Sequence, residues 1–302
     1  MNAIPAWAPY SPCAVRCLGA DEARVPVPVA ALRLVGAFMT LLAALGLAVV
    51  HPLVRGERRA AIVRSWCRTL LWTLGVRVAA DASTPSPTAA LVVVNHISWL
   101  DVLAVASARP GRVVARADLR GWPLIGPVAA RAGTIFVDRH RLSTLPGTVA
   151  EVRAALRAGA RVLVFPEGTT WCGAEGGRFR PALFQAAIDA GAPIEPVTVS
   201  YRSAGRPSTA AAFVGDDPLV ASIWRVARTR DLVADLRGHR VLAPTDDRGR
   251  LAAAAEGLVY GGRTAAAAIR PVPAARASGL QRPGVSRRVG VHVVDVLHGH
   301  PA

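Results

Sequence analysis

A histidine and an aspartate five residues apart lie in the middle of an apolar run, LVVVNHISWLDVLAV, and are residues whose types could do chemistry. His96 could accept a proton as a general base, while Asp101 could orient the imidazole and stabilise its protonated form. The alternative is structural, because Ser98 and Asp101 resemble a capping box at the start of a helix, with His96 in the preceding turn. The pair alone leaves both interpretations open.

Three further polar clusters each end or follow a predicted strand. They are AGTIFVDRHR, with Gly133, Phe136, Asp138 and Arg139; VLVFPEGTTW, with Phe165, Pro166, Glu167, Gly168 and Thr169; and APIEPVTVSY, with Pro193, Ile194, Pro196 and Val197. In open α/β sheets, sites form at the carboxyl ends of strands, so we expect His96, Arg139 and Glu167 to meet in one pocket. Singly, each cluster also has a structural interpretation, as a surface ion pair at Asp138–Arg139 or an ordinary turn at FPEGTT.

The elements that must position these residues alternate between strand and helix after a linker, DASTPSPT. Candidate strands are Leu91–Val94, Val113–Arg116, Thr134–Val137, Arg161–Phe165 and Pro196–Tyr201; candidate helices are Val102–Ala108, Ser143–Ala158 and Pro181–Ala190. This alternation predicts an α/β fold, with a mostly parallel sheet flanked by helices, over residues 89–245. Residues 246–302 are predicted to hold one helix, Leu251–Val259, and a disordered tail beyond Gly261.

Before the linker, residues 31–80 are predicted to be membrane-associated helices, and residues 1–30 to be poorly ordered. Leu34–Val50 carries no charge over seventeen residues, which is at the short end for a membrane span. A signal peptide and a buried or monotopic helix are the alternatives. The next segment, RGERRAAIVRSWCRTLLWTLGVRV, is a basic amphipathic helix with tryptophans, typical of a membrane interface and also compatible with packing on its own domain. Its arginines favour a cytoplasmic location for the domain on its carboxyl side.

The composition of the 302 residues narrows the class of partner. The formal net charge is +16, the hydrophobic content is 52%, the mean hydropathy is +0.34, and lysine is absent. Anionic lipid, acidic acyl carriers and phosphorylated substrates fit this charge, whereas the sequence shows no recognisable nucleic-acid-binding motif. Cys13 and Cys17 are four apart, with no second pair to complete a zinc site, and the cysteines suggest a reducing cytosolic setting.

Taken in order, the four polar blocks resemble the glycerolipid acyltransferases of the 1-acylglycerol-3-phosphate acyltransferase type. The blocks are Asn95-His96 with Asp101, Gly133 to Arg139, Phe165 to Thr169 and Pro193 to Val197, and the stretch Val113 to Gly126 also looks like the family's. The resemblance covers roughly residues 31 to 245. It implies a glycerol-3-phosphate acyltransferase-like fold and the transfer of a fatty acyl group from acyl-CoA or acyl-carrier protein to 1-acylglycerol-3-phosphate, giving phosphatidic acid.

The resemblance also implies a role for each matching residue. His96 takes the proton of the acceptor's hydroxyl and Asp101 fixes its tautomer, without an enzyme nucleophile. Arg139 resembles a phosphate-binding arginine, Glu167 the acidic residue that positions the acceptor, and backbone N–H groups near Gly168 could stabilise the oxyanion. The substrate-binding set it implies is Asn95, Arg116, Gly133, Arg139, Glu167, Gly168 and Thr169. It implies no metal and no cofactor beyond the acyl donor, and a place on the cytoplasmic side of the cell membrane.

Thr170 departs from the family pattern, because many phosphatidate-making members carry arginine at that position. Related enzymes that acylate other lyso-lipids, including lyso-ornithine lipid, often carry threonine there, and Arg178 and Arg180 could compensate for the missing cation. The acceptor therefore stays open between a phosphate-bearing and a phosphate-free lyso-lipid. A non-catalytic lipid-binding protein is the second class, whereas a serine hydrolase lacks its Gly-x-Ser-x-Gly motif in this sequence.

Overall fold

The computed structural model describes residues 9–19, 22–50, 54, 56–81, 87–139 and 141–261. The helices in these ranges are α1 (Val27–Val50), α2 (Gly56–Thr73), α3 (Leu100–Ala108), α4 (Ile125–Arg131), α5 (Leu145–Arg157), α6 (Phe184–Ala190), α7 (Leu219–Arg228) and α8 (Arg248–Tyr260). The strands are β1 (Val76–Ala80), β2 (Leu91–Val94), β3 (Arg112–Arg116), β4 (Ile135–Val137), β5 (Val162–Val164), β6 (Ile194–Ser203), β7 (Arg206–Pro207) and β8 (Leu232–Gly238). Short 3₁₀ turns cover Val15–Cys17, Ala117–Gly121, Leu142–Thr144 and Pro181–Leu183.

The strands form one mixed sheet in the order β1-β8-β6-β2-β5-β3-β4, with β7 paired to β6. The pairs β1/β8, β6/β2, β2/β5, β5/β3 and β3/β4 are parallel, whereas β8/β6 and β6/β7 are antiparallel. The predicted α/β fold with a mostly parallel sheet flanked by helices is therefore confirmed. Because β2, β3, β4 and β5 run the same way, their carboxyl ends meet at one edge, where the predicted site residues follow them.

The sheet centre is buried on both faces because β2 and β5 are continuous β-branched and aliphatic runs. Val92 and Val94 pack into one core with residues of α2 and α3. Leu91 and Val93 point into the opposite core with residues of α5, α6 and α8. This alternation makes β2 the element that fixes where His96 emerges between the two helical layers.

Strand β6 is longer than the strand it supports. It pairs with β2 only from Ile194 to Val197 and continues to Ser203 beside β8. Its last six residues therefore project past the carboxyl end of β2, alongside the segment that contains His96 and Asp101. Predicted bounds of Pro196–Tyr201 captured this extension in part.

The domain bounds predicted at 89 and 245 are too narrow. Strand β1 precedes the linker yet pairs with β8 along its whole length. Helix α8 follows residue 245 and its carboxyl end contacts β6, since Thr198 Oγ1 donates to the Val259 carbonyl at 2.8 Å. Neither β1 nor β8, VRVAA and LVADLRG, shows the continuous apolar run that revealed the central strands. Helices α4 and α7 were likewise not predicted.

The amino-terminal segment differs from the predicted poor order where the structure describes it. Cys13, Val25 and Ala30 are buried. The segment is fixed by long-range hydrogen bonds, from Gly19 N–H to Thr209 Oγ1 at 2.8 Å and from Val25 N–H to the Arg228 carbonyl at 2.8 Å. The Pro/Ala-rich composition suggested disorder because it shows no hydrophobic periodicity. The segment is instead attached to the domain by hydrogen bonds of its backbone N–H groups. The predicted tail beyond Gly261 lies outside the described residues.

Helix α1 begins at Val27, seven residues before the predicted apolar segment. Its stretch Val27–Leu47 is long and apolar enough to cross a membrane, and only 11% of the 18 residues in its apolar stretch are buried. Helix α2 packs against α1 and α3, and Trp66 Nε1 donates to the Thr40 carbonyl at 3.0 Å. One face of α2 therefore packs on its own domain, as one of the two interpretations predicted. Trp72, on the same helix, is 75% exposed.

Candidate active site

His96 and Asp101 meet across the turn between β2 and α3. His96 Nδ1 lies 2.9 Å from Asp101 Oδ2, and the imidazole stacks on the Phe165 ring with centroids 4.2 Å apart. The His96 side chain is 16% exposed whereas Asp101 is fully buried. Because Nδ1 faces the carboxylate, a neutral imidazole donates from Nδ1 and presents the lone pair of Nε2 on its other side.

The Asp101 carboxylate accepts four hydrogen bonds. Oδ2 accepts from Ile97 N–H at 2.6 Å and Ser98 N–H at 2.8 Å as well as from His96, and Oδ1 accepts from Tyr201 OH at 2.7 Å. Both backbone donors precede Trp99, the N-cap residue of α3, so Asp101 reaches back from the first turn of the helix and fixes the turn that carries His96. Burial, followed by the negative charge of Asp101, raises the pKa of Tyr201 well above its usual value, which keeps the phenol a donor.

The backbone of His96 is clamped by the loop that follows β5. His96 N–H donates to Glu167 Oε2 at 2.5 Å, and Trp171 N–H donates to the His96 carbonyl at 2.7 Å. Phe213 N–H donates to the next carbonyl, that of Ile97, at 3.0 Å. These contacts fix the histidine through its main chain and leave its ring tip unconstrained by them.

Glu167 is buried and receives three donors. Besides His96 N–H, Gly177 N–H donates to Oε1 at 2.7 Å and Tyr260 OH donates to Oε1 at 2.5 Å. Burial raises the pKa of Glu167 from 4.5 to about 8, against the lowering effect of these donors. The sequence resemblance implied an acceptor-positioning carboxylate, but the structure shows a buried one, 4% exposed, that ties β2, its own loop and α8 together.

Arg139 reaches the same loop from the end of β4. Its Nη1 donates to the Gly168 carbonyl at 2.5 Å. The pKa of Arg139 is lowered to about 10, chiefly by burial and then by the positive charges of Arg116 and Arg180, which the negative charge of Asp118 opposes. Arg116 is exposed and pairs with Asp118 through two hydrogen bonds of 2.9 and 2.7 Å. Cationic groups thus converge beside Gly168, and an anion bound there would relieve their repulsion.

Comparison with known proteins shows which family this chain resembles. A family model described as Acyltransferase matches residues 75–200. The lyso-ornithine lipid O-acyltransferase of Pseudomonas aeruginosa is 34% identical over 172 residues, 56% of this chain and 65% of that protein. The 1-acyl-sn-glycerol-3-phosphate acyltransferase of Neisseria meningitidis is 32% identical over 58% of this chain and 69% of its own length. The aligned regions thus span about two thirds of these relatives.

The lyso-ornithine lipid O-acyltransferase of Rhodobacter capsulatus is 31% identical over 232 residues, which are 70% of this chain and 80% of that protein. The chain belongs to the glycerolipid acyltransferase family. The crystal structure of the 1-acyl-sn-glycerophosphate acyltransferase from Thermotoga maritima has the same fold, with a TM-score of 0.54 at 19% identity over 76% of this chain and 95% of that one.

Not every residue implied by the resemblance reaches His96. Gly133 lies before β4, at the opposite edge of the sheet from Arg139, where its φ of +83° makes the turn from α4. Its carbonyl accepts from Arg112 Nε at 2.7 Å. The block Gly133 to Arg139 contains the entire strand β4, so its two ends are separated by the strand's length, and only Arg139 lies at the site.

Asn95 joins two strands next to His96. Its Nδ2 donates to the Val199 carbonyl at 3.0 Å and its Oδ1 accepts from Val199 N–H at 2.8 Å. This two-bond contact attaches the end of β2 to the projecting half of β6. Asn95 is buried at 4% exposure, so the structure gives it a positioning role instead of the substrate contact that the resemblance implied.

The loop after β5 also departs from expectation. Gly168 has a φ of +76° and its N–H donates to the Phe165 carbonyl at 3.1 Å, so this N–H, suggested for an oxyanion, is used within the turn. The Thr170 hydroxyl donates to the Phe213 carbonyl, which ties two loops together at the position that departs from the pattern of the resemblance. Thr169 lies between them and is half-buried.

Two tyrosines of the candidate site were missed by sequence reasoning. Tyr201 is the last residue of a predicted strand, and Tyr260 follows the predicted helix Leu251–Val259 by one residue. Both contact buried carboxylates at the site, Asp101 and Glu167 respectively. The alternation of β6 indicated an inward-facing Tyr201, but no local pattern indicated that Tyr260 reaches residue 167.

Proposed function

We propose that this protein is an O-acyltransferase that moves a fatty acyl group from a thioester donor, acyl-CoA or acyl-carrier protein, to the free hydroxyl of 1-acylglycerol-3-phosphate. The product is phosphatidic acid, as in phospholipid biosynthesis. The observation that carries the proposal is the His96–Asp101 pair, with Nδ1 held at 2.9 Å by a buried carboxylate at the carboxyl edge of the sheet. That arrangement is suited to general base catalysis on a hydroxyl.

His96 and Asp101 are the proposed catalytic residues. His96 Nε2 takes the proton from the acceptor hydroxyl as its oxygen forms a bond to the thioester carbonyl carbon. The tetrahedral oxyanion then collapses, the carbon–sulfur bond breaks, and the departing thiolate takes the proton from the imidazolium. Asp101 stabilises that imidazolium without itself taking the proton, and the Phe165 ring holds the imidazole plane.

The arginines beside Gly168 support a phosphate on the acceptor. Arg139 is the most buried of them and already donates to the Gly168 carbonyl, while Arg116 and Arg180 lie close enough to lower its pKa. Guanidinium groups offer forked donors that match phosphate oxygens. We assign the acceptor phosphate to this cluster.

A phosphate-free acceptor such as lyso-ornithine lipid is the second candidate, and Thr170 favours it. Its hydroxyl is committed to the Phe213 carbonyl, so this position adds no cation to the cluster. Two of the relatives compared above are named lyso-ornithine lipid O-acyltransferases. The two candidates share the base and differ only in what the arginines bind.

Membrane attachment through α1, with the α/β domain on the cytoplasmic face, completes the proposal. The exposed apolar surface of α1 supports it, as do the arginines within residues 55–68. The acceptor and product are both lipids, so this attachment places the site where its substrate is concentrated. The net charge of +16 adds attraction to anionic headgroups and to an acidic donor protein.

The test is thiol release by membranes that carry the protein, with palmitoyl-CoA or palmitoyl-carrier protein as donor and each acceptor offered separately. We expect release with 1-acylglycerol-3-phosphate, lost by roughly 10²- to 10⁴-fold in His96→Ala. His239→Ala is the matched control, because His239 Nε2 lies 2.8 Å from the Thr198 hydroxyl and the ring does not contact His96 or Asp101.

Release with lyso-ornithine lipid alone would move the acceptor assignment to the second candidate. Silence with both acceptors and both donors, or equal release from His96→Ala and wild type, would refute the acyltransferase proposal. In Arg139→Lys, we expect a higher KM for the phosphate-bearing acceptor with a smaller effect on kcat.

A further inference from the structure

Three cysteines from distant parts of the chain meet on one side of the fold. Cys13 and Cys17 belong to the amino-terminal segment, and Cys172 follows the loop that carries Glu167. Their sulfur atoms all lie within 4.8 Å of one another. Cys13 and Cys172 are each 5% exposed, and Cys17 is half-buried, so the cluster has one member toward solvent.

The backbone brings the three thiols together by identifiable contacts. The 3₁₀ turn Val15–Cys17 is closed by Cys17 N–H donating to the Ala14 carbonyl at 2.8 Å, and it folds Cys17 back toward Cys13. Cys172 N–H donates to Cys13 Sγ at 3.3 Å. The contact that closes the turn joins main-chain groups alone, so the turn does not depend on the cysteines being oxidised or bound.

The turn is also held against the domain from outside the cluster. Gly215 approaches Ala14 so closely that an added Cβ would lie 3.3 Å from the Ala14 Cα, and Gly19 N–H donates to Thr209 Oγ1 at 2.8 Å. Pro9 packs on Gly168, where a Cβ would lie 2.8 Å from its ring. The sulfurs are therefore fixed by anchors on both sides and are not brought together by a loose chain end.

The geometry matches the needs of a soft metal ion. Zinc–thiolate bonds of about 2.3 Å set sulfur pairs on the order of 4 Å apart, which small side-chain rotations would give here. Three intervening residues between Cys13 and Cys17 fall within the spacing that zinc ligands use. Thiolates select Zn²⁺ and Cu⁺ over hard cations.

We propose that Cys13, Cys17 and Cys172 form a three-thiolate binding site for a soft d¹⁰ cation of the Zn²⁺ or Cu⁺ type. The bound ion cross-links the amino-terminal segment to the loop Phe165–Cys172, which holds His96 through Glu167. It acts as a structural clamp and takes no part in acyl transfer. The inference stands independently of the proposed function, because its test uses no substrate.

The test is titration of the reduced, detergent-solubilised full chain with Cd²⁺, read by thiolate-to-metal charge-transfer absorption and by proton release. We expect one equivalent of Cd²⁺ per chain, competition by Cu⁺ or by an excess of Zn²⁺, and a zinc X-ray absorption shell containing three sulfurs. The thermal midpoint should rise with zinc and fall on chelation.

Cys17→Ser is the key variant, because this half-buried side chain can change without emptying the core. It should keep the metal-free thermal midpoint and weaken Cd²⁺ binding at least tenfold. Cys67→Ser is the matched control, since Cys67 is a buried cysteine on α2 that is not part of the cluster, and it should bind Cd²⁺ like the wild type. Cys172→Ser should abolish the three-sulfur shell.

Two results would overturn the proposal. One is a titration in which Cys17→Ser and Cys172→Ser bind Cd²⁺ as tightly as the wild type. The other is a disulfide between Cys13 and Cys172 in protein isolated from a reducing lysate, because that bond consumes two of the three ligands.

Discussion

The Asp101 carboxylate shows at the scale of one residue how the fold prepares a base. It faces His96 on one oxygen and Tyr201 on the other, and two backbone N–H groups hold it in plane. Since Asp101 is fully buried, each of these donors compensates for lost water. The donors also restrict the rotation of the carboxylate, and thereby of the imidazole.

Tyr201→Phe tests this restriction. We expect kcat to fall by roughly twofold to thirteenfold, as a net hydrogen-bond energy of about 0.5–1.5 kcal/mol implies, with KM unchanged because Tyr201 is buried beneath the site. Steady-state thiol release measures both constants. Tyr10→Phe is the control, since Tyr10 is 63% exposed. A raised KM at constant kcat would contradict a positioning role.

Glu167 makes stability depend on pH. Its pKa in the folded protein is about 8 against an ordinary value of 4.5, so below pH 4.5 it is protonated in both states and imposes no penalty. As pH rises from 4.5 to about 8, the unfolded chain loses the proton first, and the free energy of unfolding falls. Glu167→Gln should remove this slope.

Urea denaturation at a series of pH values measures how the free energy of unfolding depends on pH. Glu167→Gln loses hydrogen bonds and will be less stable in absolute terms. The readout is therefore the slope of the free energy of unfolding against pH, between pH 4.5 and about 8. Glu175→Gln in the same loop is exposed and should retain the wild-type slope. Equal slopes in all three proteins would place the pKa of Glu167 near its ordinary value.

At the scale of elements, helix α1 presents one long apolar face that the domain does not cover. Leu32, Val35, Met39 and Leu42 are exposed by 73%, 56%, 52% and 38% at spacings of three and four residues. The opposite side packs on α2 and α7. A helix with one covered face and one exposed apolar face is suited to insertion beside the domain it carries.

Replacing Leu32 and Met39 together by glutamate should detach the protein from anionic vesicles, by about tenfold or more, because two buried apolar contacts become charges in lipid. Vesicle co-sedimentation measures the bound fraction. Leu142→Glu is the control, as Leu142 is an exposed leucine in the turn before α5. Unchanged binding of the double variant would show that this face is not the membrane contact.

Elements with a continuous apolar run could be predicted, whereas those whose burial depends on partners could not. Strands β2 and β5 were predicted from their apolar runs, LVVV and the run around Val162–Val164. The polar clusters that follow the strands predicted that His96, Glu167 and Arg139 lie at one edge of the sheet. Strands β1 and β8 owe their place to pairing with each other across most of the chain. A local sequence pattern does not indicate which distant segment a residue will contact. For the same reason, the contacts of Tyr260 with Glu167 and of Cys172 with Cys13 were not predicted.

At the scale of the whole molecule, a buried ion pair joins the opposite edge of the sheet. Arg109 Nε donates to Glu195 Oε1 at 2.5 Å, with Arg109 5% exposed and Glu195 fully buried, and Arg161 Nε lies 4.0 Å from Glu195 Oε2. Arg109 follows α3, Glu195 begins β6 and Arg161 precedes β5. One carboxylate therefore connects three elements that carry the site at their other ends.

Glu195→Ala should lower the free energy of unfolding by about 3–5 kcal/mol, because it leaves the Arg109 cation buried without its partner. Chemical denaturation of the solubilised protein measures the loss. Asp235→Ala removes the more exposed pair with Arg202 and should cost much less, because solvent screens that pair. Equal losses in the two variants would show that Arg109 finds another partner.

The connection between Glu167 and Tyr260 has a consequence for synthesis of the chain. The ribosome makes His96 and Asp101 early, but β6, β8 and α8, which support them, are among the last described elements to appear. A nascent chain cannot complete the surroundings of its base until Tyr260 has left the exit tunnel. The site is therefore incomplete until then, and a chain that stops at residue 245 lacks Tyr260, one of the three donors to Glu167.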